Sequence, residues 1–74
     1  MSLHDIEDQV RQLLSLIRGV EPADNTKIRD TEINSFLNLA EETFGFRPSL
    51  APDTSLKIAA QKIHQDLLGR SQEL

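Results

Sequence analysis

Residues 28–45 read Ile28-Arg-Asp-Thr-Glu-Ile-Asn-Ser-Phe-Leu-Asn-Leu-Ala-Glu-Glu-Thr-Phe-Gly45, and the reading of this stretch decides the fold. Ile33, Phe36, Leu37, Ala40 and Phe44 recur at spacings that line one face of a helix, with Gly45 placed to end it. The spacing predicts a helix over 31–44, capped by Asp30 or Thr31, onto which the flanking segments pack.

Working outward, residues 3–18 predict a first helix. Leu3, Ile6, Val10, Leu13, Ile17 and Val20 alternate spacings of three and four, and Leu14 widens the stripe. Ser2 suits the N-cap, Met1 can staple onto Ile6, and Glu7 and Arg11 are spaced to pair. Gly19 supplies a left-handed C′ residue, after which Val20 can fold back on Leu14, and Pro22 blocks continuation. The same stripe also admits a homodimeric coiled coil, though it is short for one. On the other side, Asp53 or Thr54 caps a third helix over 54–68. Its inner face is Leu56, Ala59, Ala60, Ile63 and Leu67, and Lys62 and Asp66 are spaced to pair outside. Gly69 is expected to end it and residues 70–74 to fray. Ile28 and Leu50 are the large apolar residues of the two connections and should reach the core. The fold class is therefore all-α: one domain, a small bundle of three main amphipathic helices.

Composition narrows the function. A chain of 74 residues with no Cys has neither disulfide nor thiolate metal site, and three Phe are its only aromatic residues. A net charge of −4 with scattered Lys and Arg argues against nucleic acid and suits protein partners with basic docking surfaces. No apolar run approaches a membrane span, and no basic-then-apolar leader is evident, so a cytoplasmic setting is expected. His4 and Asp8 are only two potential ligands, short of a metal site. Glu41 and Glu42 are neighbours pointing about 100° apart on a helix, which rules out a working carboxylate pair. No nucleophile elbow or phosphate loop occurs, and the chain is read as non-enzymatic.

The order of segments resembles the acyl and peptidyl carrier protein family. Gly19-Val-Glu-Pro-Ala-Asp is similar to the end of that family's first helix, and Thr26-Lys-Ile-Arg-Asp to the loop before its serine motif. Ile33-Asn34-Ser35-Phe36 resembles the motif itself, with Asn34 and Phe36 where the family has Asp and Leu. Glu41-Glu42-Thr43-Phe44-Gly45 resembles the end of the second helix, and Pro52-Asp-Thr-Ser-Leu-Lys-Ile-Ala-Ala-Gln-Lys-Ile63 the last helix. The resemblance implies an acyl-carrier-like fold in which Ser35 bears a 4′-phosphopantetheine arm tethering an acyl or aminoacyl group. Partner enzymes would then read Glu32, Phe36, Glu41 and Glu42. A second reading is a non-catalytic docking or adaptor module without a prosthetic group. The two turn on where the central helix begins: near Asp30 the stripe is continuous and Ser35 lies mid-helix, whereas near Asn34 the serine sits at a helix start.

Overall fold

The computed structural model describes residues 2–23 and 25–72, with side-chain burial through Arg70. It contains three helices in order, α1 (Leu3–Arg18), α2 (Asp30–Phe44) and α3 (Leu56–Gln72), and no strand among the described residues, an all-α bundle. The expected Met1 staple and the end of the tail at Glu73 and Leu74 lie outside the described residues.

α1 keeps the expected bounds because both ends are chemically closed. The Ser2 hydroxyl accepts from the Asp5 amide at 3.3 Å, and Gly19 turns left-handed at φ 76° so that its amide reaches the Ser15 carbonyl at 2.7 Å. Val20 does not fold back on Leu14. It stands 64% exposed beyond the cap.

α2 starts at Asp30, and neither Asp30 nor Thr31 is its cap. The capping position is Arg29, whose amide donates to Glu32 Oε1 at 3.0 Å, so a side chain from inside the first turn closes the helix end. Gly45, at φ 85°, terminates the helix as expected.

α3 departs at both ends. Asp53 and Thr54 do not cap it, because their backbones are engaged with the first loop: the Asp53 amide donates to the Ile28 carbonyl and the Ile28 amide to the Thr54 carbonyl. Ser55 takes the capping role, its hydroxyl accepting from the Ile58 amide at 3.3 Å. The helix then runs through Gly69, which has no positive φ, to Gln72. One gain from the extra turn is visible: the Arg70 guanidinium lies 4.3 Å from the centroid of the Phe46 ring.

One core unites the elements. Ile6, Val10, Leu13 and Leu14 of α1 meet Ile33, Phe36 and Ala40 of α2 and Leu56, Ala59, Ala60 and Ile63 of α3, with Ile28 and Phe46 entering from the loops. Leu50 is only partly buried against it. Phe36, fully buried, is the largest side chain inside, and its burial contributes about 2–3 kcal/mol. The organising element is α1 rather than the central stretch. Both α2 and α3 pack on α1, and among the described residues no Cα of α2 lies within 8 Å of one in α3. The α1 stripe packs into this core through Ile6, Val10, Leu13 and Leu14, with Leu3 and Ile17 partly buried against it. No helix among the described residues is long and apolar enough to cross a membrane.

Candidate functional site

The phase of α2 fixes each residue singled out on it. Ile33 and Phe36 point inward, so Asn34 and Ser35 between them point out. Ser35 is exposed, but it is the sixth residue counted from Asp30, inside the helix rather than at its start. α2 carries four carboxylates, Asp30, Glu32, Glu41 and Glu42, and no Lys or Arg. A phosphodiester on Ser35 would thus meet an acidic helix with no cation of its own and no helix N-terminus to favour it. These surroundings do not fit a phosphopantetheine attachment point.

Phe36 is sealed in the core with no exposed surface. It offers nothing to a partner, which corrects its expected contact role; the helical period that made it core-facing took precedence.

Glu32 is likewise committed inside the chain. Arg18 Nε donates to Glu32 Oε2 at 2.6 Å and Arg18 Nη2 to Oε1 at 2.8 Å, a two-pronged pair. The same Nη2 reaches the Lys27 carbonyl at 3.0 Å. The Arg18 and Glu32 side chains keep only 20% and 12% of their surface exposed. The hydrogen bond from Arg18 is the main cause that holds the Glu32 carboxyl down at about 2, with the Arg29 amide assisting against the cost of burial. Arg18 is held above its ordinary value by the same contact. This cluster locks the end of α1 to the start of α2.

Glu41 and Glu42 remain at the surface. Glu41 lies 3.6 Å from Arg47, whose Nη1 also donates to Asn38 Oδ1 at 2.6 Å, so Glu42 is the acid of this pair left wholly to solvent. His4 approaches Asp8 at 3.6 Å, and among the described residues no three His, Asp or Glu side chains gather as a metal site.

A cleft lies elsewhere, on the outer side of α1. It has a volume of about 520 Å³ and is lined by Asp8, Arg11, Gln12, Ser15, Leu16 and Glu21. Arg11 is tied to Asp8. Leu16 stands 74% exposed at the cleft, one turn before the exposed Val20. Sequence reasoning passed over Leu16 and expected Val20 to fold back on Leu14. The available signals were that Leu16 falls two places from Leu14, off the inward stripe, and that Val20 follows a helix-ending glycine. With apolar and charged groups but no nucleophile set against a base, the arrangement is suited to binding.

No family model, curated protein or solved structure matches the chain.

Proposed function

We propose that the chain is a non-catalytic helical docking module, working in the cytoplasm, whose cleft beside α1 receives an amphipathic helix of a partner protein. The observation that carries this reading is Leu16, 74% exposed in the lining of a cleft of about 520 Å³, with the exposed Val20 next in the chain to Glu21 of the same lining. Asp8 and Glu21 give the cleft acidic groups, and the Asp8–Arg11 pair leaves the cleft no net positive charge. The fitting partner is therefore a cationic helix with apolar residues repeating at i, i+3 or i+4. The probe is a synthetic Leu/Lys amphipathic peptide, titrated into labelled protein and followed by backbone amide shifts. Shifts should concentrate between Asp8 and Glu21 and vanish in Leu16→Asp/Val20→Asp. Shifts spread evenly over the surface, or unchanged by the double substitution, would refute the docking reading.

The carrier reading competes through one observation, the exposed Ser35 hydroxyl. It is tested separately. Incubation with a promiscuous phosphopantetheinyl transferase and coenzyme A should leave the mass unchanged if the docking reading is right. A mass gain abolished by Ser35→Ala would establish the carrier instead.

A further inference from the structure

α3 has a second face. Its inward stripe packs on α1, yet Ile58 and Leu68 point the other way, 48% and 50% exposed, with exposed Gln61 and Gln65 between them. The four positions 58, 61, 65 and 68 are spaced three, four and three, the period of a helix-pairing seam. That seam reads the same from both ends in chemical type: aliphatic, amide, amide, aliphatic. Its midpoint is residue 63, since 58 and 68, and likewise 61 and 65, are equidistant from it.

We propose that this face pairs with the same face of a second copy of the chain, α3 against α3 and antiparallel. In that arrangement Ile58 of one copy covers Leu68 of the other, twice. Gln61 meets Gln65, and each amide offers both a donor and an acceptor. Charge supports the same register. Lys62 and Asp66 lie on one edge of the seam, and among the described residues neither makes an ion pair within its own chain. In an antiparallel pair the like edges adjoin, which brings Lys62 within a helical turn of Asp66 of the other copy. A parallel pair would instead set the edge bearing Lys62 and Asp66 against the opposite edge of the partner, and the two would not meet. The contact is isologous, so it closes at two copies. One helix pair of this length falls short of the roughly 1,200 Å² typical of stable complexes, so the dimer is weak, with Kd on the order of 100 μM. The proposal uses none of the residues of the α1 cleft and stands or falls apart from the docking reading.

The test begins with sedimentation of the whole chain across a concentration series spanning that Kd. A monomer–dimer equilibrium is expected. Lys62→Asp and Asp66→Lys should each shift dimerisation to at least tenfold higher concentration. An equimolar mixture of the two should restore it, because both cross-pairs are then opposite in sign. Direction is read with cysteines, which the chain lacks. Residues 58 and 68 are about 15 Å apart along the helix, beyond the reach of a disulfide. Ile58→Cys alone and Leu68→Cys alone should therefore fail to cross-link, and their mixture should cross-link under mild oxidation. Circular dichroism checks that each variant keeps its helices. A monomer at every concentration, species growing beyond the dimer, or self-linking of Ile58→Cys would overturn the proposal.

Discussion

Arg18 and Glu32 face each other through two hydrogen bonds, at 2.6 and 2.8 Å, across fourteen residues of chain. The same carboxylate also accepts the Arg29 amide that begins α2, so one side chain serves as helix cap and as the joint between two helices. Glu32 is held at about 2 in the folded chain against an ordinary 4.5. A depressed folded value means that the unfolded chain takes up the proton first. The stabilisation is complete above the unfolded value and drains away as pH falls from about 4.5 through about 2. With allowance for solvent screening it amounts to about 1–2 kcal/mol. Glu32→Gln should lose that amount at neutral pH and flatten the acid limb of a stability–pH curve measured by urea unfolding. Equal losses for the variant at pH 7 and pH 2 would show that the pair is not the cause.

Phe36 predicts the severest loss. Truncation to Ala opens a cavity in the core, where Phe36 is fully buried, and the expected cost is about 3–5 kcal/mol. Phe36→Leu should lose far less. Thermal denaturation compares the two; similar melting temperatures would contradict the central placement of the ring.

Two glycines should respond in opposite directions. Gly45 holds a left-handed backbone at φ 85°, so Gly45→Ala should destabilise by about 1 kcal/mol. Gly69 lies within α3, has no positive φ, and would meet no atom within 4 Å if given a Cβ. Gly69→Ala should stabilise by about 0.5–1 kcal/mol by favouring the helix. A destabilising result there would mean that α3 ends before Gly69.

Ser55 marks the true start of α3. Ser55→Ala removes the oxygen that receives the Ile58 amide and should cost about 1 kcal/mol. Thr54→Val keeps the backbone bond from Ile28, losing only the contact of the Thr54 hydroxyl with the Ala51 carbonyl, and should cost less. Equal losses would place the cap one residue earlier.

Periodicity carried the helices and most of the core. The inward stripes of α1 and α3 are regular enough that Ile6, Val10, Leu13, Ala59, Ala60 and Ile63 could be named from spacing alone, and all are buried. The same argument, applied strictly to Ile33 and Phe36, places Ser35 mid-helix, where the structure has it. What spacing cannot reveal is which stripe lies in the middle, because long loops leave the arrangement of three helices to packing. That is why α1, not α2, turned out to be the shared wall. Nor could spacing pair Arg18 with Glu32, two residues with no common helix. Gly69 was misread because a glycine near a helix end is usually a stop, and the Arg70–Phe46 contact that accompanies the extra turn is not visible in local sequence. Leu16 was overlooked because an exposed aliphatic acquires meaning only beside a cleft, and Val20 was expected to cover Leu14 because a residue after a helix-ending glycine often folds back.

The two long connections are fastened to each other. The Ile28 amide reaches the Thr54 carbonyl at 2.9 Å, the Asp53 amide returns to Ile28 at 2.8 Å, and the Leu56 amide to Thr26 at 2.9 Å. α2, whose backbone stays clear of α3, is thus enclosed in a loop whose two ends are stitched together. Neither outer helix can swing away from α1 without tearing that seam or dragging the other along. The chain should open all at once: the amides of Ile28, Asp53 and Leu56, though they belong to connections, should exchange with solvent as slowly as those of the helix interiors.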